Sequence, residues 1–219
     1  IFANLILADE INRAPQKTQS ALLEAMQERQ VTIGETTYPL EEPFWVLATQ
    51  NPIEHEGVYV LPEAQIDRFA IKVKADYPSH ANEAAMLGIR MGEMKVNRVM
   101  TTADVISFRK FIARSNVSDK IREYVVRVVR ATRNSEPESL PIVKEMVLYG
   151  ASPRAAQHLF ALARTTAFFQ GRDYVLPVDV KSIAPDALRH RLIPTVRAEA
   201  DGVAADEIID AILHKVPIP

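Results

Sequence analysis

Apolar and polar positions follow one rhythm in the first third of this chain and another afterwards. Leu5-Ile6-Leu7-Ala8 is a short continuous apolar run, which predicts a strand covered on both faces. Asn12-Arg13-Ala14-Pro15 follows, and Pro15 suits the first turn of a helix. That helix is expected to run to about Glu28, with Thr18, Ala21, Leu22, Ala25 and Met26 on one face. Val31 and Ile33 then alternate with polar neighbours, Gly34-Glu35 can turn the chain, and Thr37 to Leu40 can return it as a small hairpin. Two further apolar runs, Phe44-Trp45-Val46-Leu47-Ala48 and Phe69-Ala70-Ile71-Lys72-Val73, read as strands, the second ending near Tyr77-Pro78.

From Pro78 onward the period is helical. Thr102 is the expected cap of a stripe of Val105, Phe108, Phe111 and Ile112, read as core. Ser118 caps a stronger stripe of Ile121, Tyr124, Val125, Val128 and Val129. Ser152-Pro153 opens a third helix that ends near Gly171, Pro177 and Pro185 punctuate a shorter pair, and Asp206 to His214 form a last amphipathic segment. Asn134 to Pro141 reads as an exposed loop. Strands first and helices afterwards predict an α/β plus all-α chain: a core with a parallel sheet over residues 1–77, then an all-helical unit over 78–219.

Composition narrows the function classes. A net charge of −2, from 26 basic and 28 acidic residues, gives no electrostatic footprint for a nucleic-acid partner. The absence of cysteine excludes disulfides, thiolate metal sites and a cysteine nucleophile. No apolar stretch approaches membrane-spanning length and no signal-peptide pattern opens the chain, so a soluble cytoplasmic protein without a membrane partner is expected. Ile1 lies inside an apolar run with no polar leader, and the chain is therefore expected to be a piece of a longer protein.

The candidate chemistry lies where the strands end. Ligands of open parallel sheets bind beyond the carboxyl ends of the strands. The first strand ends in Asp9-Glu10 and the second in Thr49-Gln50-Asn51. Adjacent carboxylates after an apolar strand suit phosphoryl transfer, one for Mg²⁺ and one for the attacking water; acids marking the strand's exit into solvent are the plainer reading. Arg154 sits in the first turn after Ser152-Pro153, where the helix dipole disfavours a cation by about 0.3–1 kcal/mol. A compensating anion is implied, either a bound phosphate or a carboxylate of the core. The histidines show no H-E-x-x-H spacing and no serine has a G-x-S-x-G setting. Gly57 lies in the loop from Pro52 to Pro62, with no assigned partner.

The longer strings are more specific. Leu5 through Pro15, followed by Thr18 through Glu28, closely resembles the Walker B strand and following helix of the MoxR family of AAA+ ATPases. Gln30-Val31-Thr32-Ile33-Gly34 resembles the hairpin of that family, Ala48-Thr49-Gln50-Asn51-Pro52 its sensor 1, and Leu61 through Phe69 its arginine-finger segment. Gly150-Ala151-Ser152-Pro153-Arg154-Ala155 resembles its sensor 2, and Leu188-Arg189-His190-Arg191-Leu192 a tract near its end. These strings occur in family order across almost the whole chain.

The resemblance implies a partial AAA+ P-loop-type core followed by a helical lid, and an ATP hydrolase that uses Mg²⁺. It implies that Asp9 positions the metal, Glu10 activates water, Asn51 senses the γ-phosphate, Arg68 reaches a neighbouring subunit's nucleotide and Arg154 approaches the phosphates from the lid. It also implies a ring, expected to be hexameric, that remodels or matures protein clients, among them proteins with a von Willebrand factor A domain. Two alternatives remain open at this point: the ATPase subunit of a metal chelatase, and a non-catalytic AAA+ scaffold. No G-x-x-x-x-G-K-[ST] string occurs in these 219 residues. The P-loop is expected upstream of Ile1, and residues 1–219 alone are expected to bind ATP poorly and hydrolyse it negligibly.

Overall fold

The computed structural model describes residues 1–51, 59, 61–88, 96–137 and 139–219. Most of the loop from Pro52 to Pro62, with Gly57, lies outside the described residues, as does Glu138. Chain order begins with β1 (Leu5–Ala8), a 3₁₀ turn (Ile11–Arg13), α1 (Gln16–Glu28), β2 (Gln30–Ile33), β3 (Thr36–Pro39) and β4 (Trp45–Ala48). It continues through α2 (Glu63–Ile66), α3 (His80–Met86), α4 (Thr102–Ile112), α5 (Asp119–Arg130), α6 (Pro141–Met146) and β5 (Val147–Tyr149). The last elements are α7 (Pro153–Phe169), α8 (Pro177–Leu188), β6 (Ile193–Pro194), α9 (Val196–Asp201) and α10 (Ala205–Lys215).

β1 and β4 pair in parallel, with Leu5 opposite Trp45 and Ala8 opposite Ala48. The crossover between them holds α1 and the expected hairpin, β2 against β3, in which Gly34 turns at a φ of 63°. On one face of the parallel pair, Ile6 and Val46 pack with Val31 against Ala25, Leu40 and Phe44. The other face carries Leu5, Leu7, Trp45 and Leu47 at 50%, 62%, 46% and 57% exposure. The expected cover on both faces is thus present on one.

Helix α1 buries Gln19, Leu23 and Ala25 rather than the expected Thr18 and Ala21. The reason is polar: the Gln19 amide turns inward and donates to the carbonyls of Ile11 and Tyr59, at 3.1 Å each. The run Phe69 to Val73 forms no strand among the described residues, and the chain bends at Phe69 and Ala70. Its backbone is taken up by the helical part instead. Arg191 donates to the carbonyls of Phe69 and Ala70, His190 meets the Phe69 carbonyl, and the Lys72 amide donates to the Asp186 carbonyl.

Helix α7 is the axis of the helical part. It buries Ala155, Leu159, Ala163 and Ala167, a period of four whose small residues let α8 and α5 approach closely. The α5 stripe from Ile121 to Val129 is buried as its sequence predicts, and α10 adds Ile208, Ile209, Ile212 and Leu213. Ser118 and Ser152 cap α5 and α7. The cap of α4 is Thr101, one residue before the expected Thr102, because Thr101 and Asp104 satisfy each other's amides in a capping box. Phe108 and Phe111 are largely exposed rather than core; their ring centroids lie 5.7 and 5.8 Å from that of Phe168. Pro185 lies inside α8, which runs unbroken past it, so the expected pair of helices is one. Ala184, Ala187 and Leu188 bury around it and offset the lost hydrogen bond.

The helical part also holds an antiparallel ribbon, β5 with β6, which the sequence pattern did not predict. The segment after α5 is less exposed than expected. Asn134 donates to the carbonyls of Val147 and Leu148, at 2.9 and 3.1 Å, and Ser139 is buried. Among the described residues no helix is long and apolar enough to cross a membrane.

Candidate functional site

The ends of β1 and β4 form one polar edge. β1 stops after Ala8, and the chain turns through Glu10, whose φ of 48° and ψ of 52° are left-handed, a conformation uncommon outside glycine. Thr49 fixes this turn. Its amide donates to the Ala8 carbonyl at 3.0 Å, its carbonyl accepts from the Ile11 amide at 3.1 Å, and its hydroxyl accepts from the Glu10 amide at 2.8 Å. The same hydroxyl donates to Oδ1 of Asp9. One threonine therefore holds the Asp9 carboxylate and the Glu10 backbone; Asp9 is exposed, Glu10 half-buried, and the Glu10 carboxylate lies 3.2 Å from Nε of Arg13. Asn51 follows on the same edge, half-buried.

This donor set suits Mg²⁺. The ion is hard and octahedral, keeps several waters, and takes one or two carboxylates with phosphate oxygens supplying the rest. Two adjacent acids fit that pattern. No group of three or more His, Cys, Asp or Glu side chains that could hold a metal occurs among the described residues.

The two arginines stand apart from the acid pair. Arg68, after α2, donates to the side-chain oxygen of Gln27 in α1. Arg154, in the first turn of α7, donates from Nη1 to Oδ2 of Asp67 at 3.0 Å. Its compensating anion in this structure is thus a core carboxylate, the second of the two readings its position allowed. Ser152, the α7 cap, donates its hydroxyl to the same Oδ2 at 2.9 Å. Arg191 holds Oδ1 at 2.8 Å and the Asp67 carbonyl at 2.9 Å. Burial works to raise the Asp67 carboxyl, but the bonds from Ser152 and Arg191 outweigh it and hold the group below its ordinary value.

Sequence reasoning misses three of these residues: Thr49 and Asp67 stand inside quoted strings with no role of their own, and Arg191 is one member of a basic tract. A faint signal existed for Arg191: three basic residues within Leu188 to Leu192, beside a helix whose other face is apolar. Its side chain is 1% exposed and makes its ring of bonds across the joint between the two parts. His158 Nδ1 accepts from Arg191 at 2.6 Å, and burial, then the Arg191 charge, lowers the pKa of that histidine.

The Gly150 to Arg154 string is held by close packing. A Cβ at Gly150 would lie 2.3 Å from the Thr132 carbonyl oxygen, so only glycine passes there. The Thr132 hydroxyl accepts from the Ala151 amide at 2.9 Å, and Arg133 donates to the Ala151 carbonyl at 3.1 Å. This clamp after α5 aims Ser152 and Arg154 at Asp67.

A parallel pair ending in Asp-Glu, followed by a helical part, is the arrangement of an AAA+ core and its lid. Comparison with known proteins agrees. Residues 1–71 match the model of the ATPase family associated with various cellular activities (AAA), and residues 140–212 match the AAA lid domain. All of this chain aligns at 49% identity with Chaperone MoxR1 of Mycobacterium tuberculosis, spanning 58% of that protein, and at 39% with the uncharacterized protein YeaC of Bacillus subtilis, spanning 67%. A crystal structure of a candidate ATPase from Cytophaga hutchinsonii superposes with a TM-score of 0.93 at 48% identity, over all of this chain and 67% of that one. The chain belongs to the MoxR family of AAA+ ATPases.

Proposed function

We propose that this chain forms the Walker B, sensor and lid part of a Mg-ATP hydrolase whose turnover remodels or matures protein complexes. The observation that carries the reading is the edge at which Thr49, just past β4, bonds the Asp9 carboxylate and the Glu10 amide just past β1. Asp9 lies where a carboxylate can bind Mg²⁺ through water, and the bound ion would neutralise charge on the phosphates. Glu10 is the general base: the chain turns at the strand end through its left-handed backbone, and its carboxylate, 3.2 Å from Nε of Arg13, is partly open to water there. Asn51, at the end of β4, hydrogen-bonds that water and the γ-phosphate. Arg68 acts on the nucleotide of a neighbouring subunit in a ring of six, and Arg154 meets the phosphates from the lid. Residues 1–77 then serve as core and 78–219 as lid.

The clients follow from the relative's name only as far as chaperone activity; von Willebrand factor A domain proteins are the partner class we propose to test first. The function test uses the protein as the cell makes it. Glu10→Gln is expected to lower ATP turnover by about 10²-fold or more while sparing nucleotide binding. Arg68→Ala subunits, inactive alone, are expected to recover activity when mixed with Glu10→Gln subunits. Undiminished turnover in Glu10→Gln removes Glu10 as the base.

A further inference from the structure

The acid pair leaves one cluster unexplained, the buried knot around Asp67. Its two arginines are held very differently. Arg191 has a side chain 1% exposed, bonded to both Oδ1 and the carbonyl of Asp67, to the carbonyls of Phe69, Ala70 and Ala187, and to His158. Withdrawing it would strand a buried cation, so it is fixed. Arg154 has a side chain 39% exposed and one bond, to Oδ2. Water can replace that bond at little cost. The N-terminal end of α7 carries no acid in its first turn, and an anion there is favoured by the dipole. The carboxylate thus has one permanent arginine and one that an arriving anion can take.

What Asp67 is joined to gives this asymmetry a use. The next residue is Arg68, and the carbonyl between them is the one Arg191 holds. We propose that Asp67 is a positioning residue that shares one carboxylate between the fixed Arg191 and the releasable Arg154, so that phosphate binding at Arg154 is transmitted to Arg68. Nucleotide competes with Asp67 Oδ2 for Arg154; when Arg154 leaves, the lid keeps Arg191, the Ser152 hydroxyl and His190 on the Arg68 segment and loses its one releasable charge. Occupancy of one subunit's site thereby alters the arginine it offers to the next. This rests on the hydrolase reading, and the experiment separates the two.

Nucleotide affinity by calorimetry and turnover at saturating Mg-ATP are compared for wild type, Asp67→Asn, Arg154→Ala and the double variant, each in the protein as the cell makes it. Asp67→Asn is expected to bind nucleotide about two- to fivefold more tightly, the range of one exposed ion pair released. Its turnover is expected to fall about tenfold or more through misplacement of Arg68. In the Arg154→Ala background the tightening disappears. A merely structural Asp67 would weaken binding and turnover together. Unchanged or weaker binding by folded Asp67→Asn, or equal tightening without Arg154, overturns the inference alone. A wild-type protein that binds no nucleotide sinks the hydrolase reading as well.

Asp67→Asn leaves Arg191 without its carboxylate and can fail to fold, so the wild type supplies a second measurement. A crystal structure with a non-hydrolysable ATP analogue and Mg²⁺ is expected to show Arg154 off Asp67 and Arg191 still on it. An intact Arg154–Asp67 bond in that structure overturns the inference.

Discussion

Beneath Asp9 and Glu10, the parallel pair rests on a small buried patch of Ala25, Leu40 and Phe44, and its opposite face is open. Behind Arg154, a continuous buried cluster runs from Ile121 in α5 through α7 and α8 to Leu213 in α10. The edge is held mainly by directional bonds through Thr49, whereas the lid is held by packing. Hydrophobic burial scales with area, so stability concentrates in the helical part while the acids sit on the less stable one. The two meet through a few polar residues, Asp67, His190 and Arg191, rather than through a shared apolar core.

Three measurements on residues 1–219 sharpen or break this contrast. The largest effect is expected at Leu159, fully buried in α7. Leu159→Ala should cost about 2–5 kcal/mol and lower the melting temperature by roughly 5–15 °C; a shift of a degree or less would show that the lid core does not carry the stability.

Next comes the joint. Burial, and then the Arg191 charge, lowers the His190 pKa from 6.5 to about 4. The unfolded chain takes up this proton below about pH 6.5 while the folded chain resists it until about pH 4. Stability from neutral His190 is therefore complete above pH 6.5 and lost as pH falls toward 4, by about 3 kcal/mol. His190→Gln keeps a donor for the Phe69 carbonyl, so its denaturation curves should lack that part of the slope. Equal slopes in both proteins would remove His190 as the source.

The smallest effect belongs to the open sheet face. Leu7→Ala should change the unfolding free energy by no more than about 0.5 kcal/mol. A loss as large as that of Leu159→Ala would mean that this face is covered after all.

What the sequence disclosed follows from how far each interaction reaches along the chain. The Asp9-Glu10 pair after an apolar run, the α5 stripe and the Ser152 cap depend on residues within a turn or two, and all three stand in the structure as their patterns predict. The face of α1 was misjudged because an inward glutamine, Gln19, looks polar to a period search. Phe69 to Val73 reads as a strand because a short apolar run looks alike whether its backbone pairs with a strand or with arginine side chains. The Asp67–Arg191 bond joins residues 124 apart, and no local pattern announces it. The motif match carried Arg68 and Arg154 to their places in the chain, but not the carboxylate that stands between them.

Glu10 occupies backbone that glycine would adopt without strain, at a cost on the order of 1 kcal/mol or more for a side chain. The fold alone would favour glycine or asparagine there. Under the role proposed for Glu10, Glu10→Gly is expected to raise stability while abolishing turnover. Position 10 would then be a place where stability and turnover pull toward different residues, with the rest of the edge unchanged.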